Sequence, residues 1–418
     1  MKKYLYLLAL LIVVFSCSKK EHKEEKVPDK EVGKVNFFME TSASMAGYFN
    51  GSTEFVKDIP NLLVDIEGKE SFGKGPLKLY YVADSLTPYT GSTKDFIREI
   101  STTKVANEKS SEMHRILEMI ASKTDSNDIS LFVSDCILSY PDNVIKANSE
   151  INKQKAPGEL KALVKSTFLK LKRDNISASL YGFNSAFFGN YYTYQNAKLK
   201  LDGQERPYYL WVIGNKELVS KFNKKLADLN NFKPVLDLNF GLFDKTIDDF
   251  ETFFTYEKSG EWQPKDKEIS ELKVSKKNPA VFAIAVDLSS LPNSISSPDY
   301  LIKHFKTSSE NLEFRIKKIL RTEEVDKSNL KREKGFLTNN SHVIVIEVLD
   351  LYKDKGSIDL KLPLVYDNGY KAMSTMDDRN LDSIPGKTFA FEHLIDGVRE
   401  AYENSNDNFI HISIPVKK

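Results

Sequence analysis

Cysteine is almost absent from this chain. Cys17 and Cys136 are the only two in 418 residues. With Cys17 taken up at the N-terminus, no intramolecular disulfide framework remains. Histidine is scarce as well. His22, His114, His304, His342, His393 and His411 show no metal-ligand spacing, which argues against a zinc site. Neither sign of charge is in excess. The 60 basic and 59 acidic residues nearly cancel, so nothing favours a nucleic-acid partner. No period of roughly 20–50 residues marks a repeat array. The one long apolar run, Leu5 to Phe15, is too short for a comfortable membrane span. A Gly-x-Ser-x-Gly elbow is also missing, and no histidine is placed by sequence as a base for a serine nucleophile.

What is present begins with a leader. Lys2 and Lys3 precede the apolar run, and Ser16-Cys17 closes it, the layout of a secretory signal. Val14-Phe15-Ser16-Cys17 resembles a bacterial lipobox. That resemblance implies a lipidated Cys17 and removal of residues 1–16. Without them two lysines and no acids are lost, leaving a net charge of about −1. Residues 17–34 are dense in charge and read as a tether. The expected location is the cell envelope, lipid-anchored, with the outer membrane favoured over the inner.

The rest is organised around Val35–Gly47. An apolar run suited to a buried strand turns abruptly into small and hydroxyl residues. Glu40, Ser42 and Ser44 place three oxygen side chains at alternate positions. Oxygen donors at the carboxyl end of a strand suit Mg2+ or Mn2+, and open α/β sheets place ligands at that edge. Strand and helix patterns then alternate. Phe55, Ile59, Leu62, Leu63 and Ile66 recur at helical spacing, and Leu77–Val82 is the next strand. A helix spans Met113 to Ile120, with Ser110-Ser111 as N-cap residues. Ile129–Val133 is a strand running into Ser134-Asp135. Pro157-Gly158 opens another helix, and strands follow at Ile176–Phe183 and Tyr208–Gly214, then a helix over Lys216–Leu229. This alternation predicts a Rossmann-like, mostly parallel sheet over residues 35–235, with helices on both faces.

Glu40-Thr41-Ser42-Ala43-Ser44-Met45-Ala46-Gly47 resembles the metal-ion-dependent adhesion site of the von Willebrand factor A-type domain. That family's strand ends in Asp-x-Ser-x-Ser. Here the acid is Glu40, whose carboxylate stands one methylene further out. The resemblance implies a further Asp from a later strand, matched by Asp135 in Val133-Ser134-Asp135, where Cys136 replaces the family's Gly. It also implies a Thr from a second loop, a place that Ser110 or Ser111 would fill. The metal set is therefore Glu40, Ser42, Ser44, Ser110 and Asp135, holding Mg2+ or Mn2+. An acidic residue of a protein partner is expected to complete the coordination.

From residue 236 to 278 the pattern loses its period, and this stretch reads as a connection. Residues 279–418 are strand-rich: Pro279–Val286, Leu312–Leu320, His342–Leu351, and a hairpin through Lys353-Asp354-Lys355-Gly356. One helix carries Phe391, Leu394, Ile395, Val398 and Tyr402, and a strand closes the chain. A β-rich C-terminal domain, a sandwich, is expected. Asp377-Asp378 reads as a solvated turn. The aromatic cluster Phe187 to Tyr194 reads as a loop-like stretch that packs into the core. The whole reads as an envelope lipoprotein that binds a protein partner and is not an enzyme. The competing readings are a metal-dependent hydrolase using the same cluster, and a scaffold with a degenerate metal site.

Overall fold

A computed structural model describes residues 30–418, apart from 103–104, 109–111, 139–141, 244–245, 329, 331–332, 365–367 and 404–407. The leader, Cys17, most of the tether, Ser110 and Ser111 lie outside the described residues. The end of the expected tether is packed. Val32 is buried, the Gly33 N–H donates to Asn127 O at 2.7 Å, and Lys34 pairs with Asp128 at 3.0 Å. Residues Glu31–Lys418 form one compact unit. No described helix is long and apolar enough to cross a membrane.

The first sheet has seven strands: β1 (Val35–Glu40), β2 (Lys78–Val82), β3 (Leu86–Pro88), β4 (Ile129–Ser134), β5 (Ile176–Tyr192), β6 (Lys198–Asn215) and β7 (Leu236–Phe240). Their order is β3-β2-β1-β4-β6-β5-β7. Only β1–β2 and β1–β4 are parallel; every other pairing is antiparallel. The sheet is thus mixed, and the expectation of a mostly parallel one is corrected. The reason is the link between β5 and β6. It is only residues 193–197, too short for the helical crossover that a parallel pair needs. The two form one long hairpin instead. The aromatic stretch read as loop-like lies almost wholly within β5. Phe187 and Tyr191 are buried, with a bulge between Phe187 and Phe188.

Helices cover both faces, as strand alternation requires. Phe37 and Met39 point into one core with the helices Phe55–Gly68, Thr93–Thr102 and Lys216–Ala227. Phe38, Phe132 and Trp211 point into the other with Met113–Ala121, Ala156–Arg173 and Phe391–Tyr402. Each such aromatic side chain removed from water contributes roughly 2–3 kcal/mol.

Three further sheets follow; the smallest pairs β16 (Ser374–Thr375) with β17 (Thr388–Phe389). Four strands run β13 (Leu312–Arg321), β14 (His342–Leu351), β11 (Ala280–Val286) and β8 (Glu251–Thr252). Five run β12 (Lys306–Glu310), β15 (Lys355–Pro363), β18 (Asn408–Lys417), β10 (Glu268–Lys273) and β9 (Glu261–Lys265). Side chains of the two larger ones meet in one apolar cluster, with Phe282 and Ile346 from the four-stranded sheet and Leu360 and Ile412 from the five-stranded. Strand β15 pairs with β18 although residues 364–407 intervene. That excursion leaves the β-rich region and joins the first sheet. Its helix Phe391–Tyr402 packs on Ala156–Arg173, Phe391 stacks on Tyr209 at 4.2 Å, and the Tyr402 hydroxyl donates to Ile176 O at 2.6 Å. A Cβ on Gly397 would stand 2.7 Å from Lys161 O, so glycine permits the approach. The C-terminal helix therefore belongs to the core of the α/β region, not to that of the surrounding strands.

Candidate functional site

Strand β1 ends at Glu40 between β2 and β4, so its carboxyl end lies mid-sheet. The loop after it is pinned by backbone bonds. Thr41 N–H donates to Val82 O at 3.0 Å, Ala43 N–H to Glu108 O at 2.9 Å, and Glu108 N–H to Thr41 O at 3.0 Å. A 3-10 turn, Ala43–Tyr48, follows and buries Met45, Gly47 and Tyr48. A Cβ on Gly47 would fall 2.2 Å from the Phe187 ring. Glycine therefore lets this turn lie against β5, which fixes where Ser44 sits. The Tyr48 hydroxyl, donating to Pro207 O at 2.5 Å, anchors the far end.

Of the five expected ligands, Glu40 ends β1, Ser42 and Ser44 stand on this loop, Asp135 follows β4, and Ser110 lies outside the described residues. Ser42 Oγ donates to Glu40 Oε1 at 2.6 Å and lies 2.9 Å from Ser44 Oγ. Asp135 follows β4 directly, and its Oδ1 accepts the Ile137 N–H at 3.1 Å. Ser44 lies against Asp135 and Ser134 against Glu40, each hydroxyl favouring the ionised acid. Glu40, Ser42 and Asp135 are buried, and Ser44 is half-buried. Burial pushes the Glu40 carboxyl up to about 8, and the nearby Asp135 charge adds to this. Asp135 is also raised, by burial, against the pull of Ser44, the Ile137 N–H and Arg206. Glu40 Oε2 and Asp135 Oδ2 are both buried with no hydrogen-bond partner.

These donors fit a hard cation: two carboxylate oxygens with no other partner, flanked by hydroxyls. Among the described residues, no group of three or more His, Cys, Asp or Glu is arranged for a metal, so hydroxyls would have to complete the set. No family model matches this chain, and neither a curated protein nor a solved structure is found similar to it.

Cys136 has φ of 54°, the left-handed region that glycine prefers. Its thiol is buried near Trp211 Nε1 at 3.5 Å and is raised by that burial. Cys136→Ala removes the sulfur and keeps the strain; Cys136→Gly removes both. We expect Cys136→Gly to unfold at a higher urea midpoint than Cys136→Ala, since a left-handed non-glycine residue costs about 1–2 kcal/mol. The reverse order would place the β-carbon's packing and the entropy cost of glycine above the strain.

Several groups around the site escaped the sequence reading. Arg206 on β6 is 1% exposed. Its Nη1 donates to Ile384 O at 2.8 Å and to Lys387 O, and its guanidinium lies 4.4 Å over the Tyr191 ring. Asp378 is fully buried, against the expected solvated turn. Its carboxylate accepts from the Tyr191 hydroxyl at 2.5 Å and the Tyr194 N–H at 3.0 Å. Asp377 alone stays near the surface, paired with Arg379. Thr388 Oγ1 donates to Asp135 O at 3.4 Å. The excursion from the β-rich region thus reaches the site itself. The alternation Arg206, Tyr208, Leu210 did carry a signal, because it puts the arginine on the same face as two core residues.

Proposed function

We propose that this chain is a lipid-anchored envelope protein that binds a protein partner through a von Willebrand A-like α/β domain, using a divalent cation held by Glu40, Ser42, Ser44 and Asp135. The observation that carries the reading is the pair of buried, unpartnered carboxylate oxygens beside two hydroxyls, on the loops that follow two parallel, adjacent strands. When bound, Mg2+ or Mn2+ would supply a Lewis-acidic position for an acidic side chain of the partner. The chain's own part is to orient the donors. Ser42 holds Glu40 by its Oε1, and the Asp135 turn leaves Oδ2 free. Half-buried Ser44 marks the approach from solvent. Binding, not catalysis, is the role this reading favours: among the described residues the acids that meet Ser42 and Ser44 are the carboxylates a cation would itself take up. The mixed sheet keeps the two-layer helical covering of that domain while departing from its parallel pairing.

The test is thermal unfolding of the full chain with and without cation. Millimolar Mg2+ or Mn2+ is expected to raise Tm. At a hundredfold excess over Kd the gain is about 2.7 kcal/mol. Asp135→Asn should abolish that gain. Should neither ion shift Tm or give heat in calorimetry, the cation is to be discarded and a metal-free scaffold preferred.

A further inference from the structure

Among the described residues, Arg206 is the one guanidinium in the set of fully buried large side chains, and its surroundings are uneven. One terminal nitrogen is saturated by two carbonyls of the excursion, and a tyrosine ring covers the plane. The other edge, Nε and Nη2, is buried without a hydrogen-bond partner. These two N–H groups form the side-on fork with which arginine grips a carboxylate. A buried guanidinium is tolerated only near negative charge. Two acids are available. Asp378 already has both oxygens occupied, by Tyr191 and Tyr194. Asp135 has one free oxygen, Oδ2. Ser134 pairs with Tyr209, so continuing the ladder by one sets Asp135 opposite Tyr208. Arg206 is then the diagonal neighbour on the same face, and its charge acts on Asp135 although the two share no hydrogen bond. Thr388 ties the same corner, its hydroxyl donating to Asp135 O while Arg206 holds the preceding carbonyl.

We propose that Arg206 is the internal counter-charge of the candidate cation site: it balances Asp135 in the cation-free protein and weakens cation binding. The second half rests on the cation reading above; the first does not. In the low dielectric of the interior a fixed positive charge acts over several ångströms, stabilising Asp135 and opposing an arriving Mg2+.

The experiment is a double-mutant cycle on the full chain, with Arg206→Met, Asp135→Asn and the double variant unfolded by urea in EDTA. Arg206→Met is expected to lower the urea midpoint, and at least half of that shift should vanish in the Asp135→Asn background. Mg2+ titration should then give Arg206→Met a Kd tighter by about tenfold or more, the effect of removing a like charge. Arg206→Lys should keep the wild-type affinity. If Arg206→Met does not fold, the cycle is run with Arg206→Lys against Arg206→Gln. An equal shift in both backgrounds overturns the proposal whatever Mg2+ does. Coupling in EDTA with no Mg2+ response in any variant removes the cation and leaves Arg206 as the partner of Asp135.

Discussion

Without divalent cations the protein is expected to lose stability as pH rises from about 5 to 8. Glu40 is responsible. Its folded pKa stands near 8, raised from 4.5 chiefly by burial and then by the Asp135 charge. A group raised on folding contributes its full stability below the unfolded value and loses it as pH climbs through the folded one. The window is therefore pH 4.5 to 8, and the loss across it is of order 4 kcal/mol. Asp135 is raised as well, by burial, so its contribution is likewise lost as pH rises. His342 opposes it: burial lowers its pKa, so its contribution is lost as pH falls. Urea unfolding in EDTA at pH 5, 6.5 and 8 should show the decline, and Glu40→Gln should flatten it. A wild-type profile flat across that range, or a slope that survives Glu40→Gln, would remove Glu40 as the cause. The same proton links to the metal. A cation needs Glu40 ionised, so apparent Mg2+ affinity should rise with pH over this window.

Asp378→Ala is expected to cost about 3–5 kcal/mol, a loss on the scale of breaking a buried charge network. The carboxylate is fully buried and satisfies both the Tyr191 hydroxyl and the Tyr194 N–H. Truncation leaves those two donors unpaired and takes a negative charge from the surroundings of Arg206, whose pull acts on Asp378. Asp378→Asn preserves shape and one acceptor and should cost less than half as much. The loss should appear as faster proteolysis within residues 379–387, mostly exposed apart from buried Ile384, before global unfolding. A loss under about 1 kcal/mol for the alanine variant would show that Asp378 does not hold the excursion.

Much of the first region could be read along the chain. Helix faces such as Phe55, Ile59, Leu62, Leu63 and Ile66 are buried as their spacing requires. Strands β1 and β4 are buried at every residue, as their apolar runs imply. The grouping of Glu40, Ser42 and Ser44 was legible because residues two apart at a strand end share a side. Asp135 was reached through the resemblance to the von Willebrand A-type motif, which implies an acid after a later strand, and not through its own local pattern.

The direction of the sheet was not legible. Periodicity says that a segment is a strand but not which way its neighbour runs. That depended on a link of residues 193–197, hidden because Gly189 and Asn190 give the end of β5 the composition of a loop. Nor did sequence place Arg206, Asp378 and Thr388 beside the site. Arg206 and Asp378 are 172 positions apart, and what joins them is an excursion between two strands that pair as though it were absent. Local propensity covers a few residues, whereas the environment of a buried charge is set by whatever the fold brings within several ångströms. Sequence by itself determined the strongly periodic elements and the oxygen donors on the loop after β1, but not the strands within 236–278 or the far half of the β5–β6 hairpin; tertiary structure alone decided which charges surround those donors, because burial and long-range pairing have no local trace.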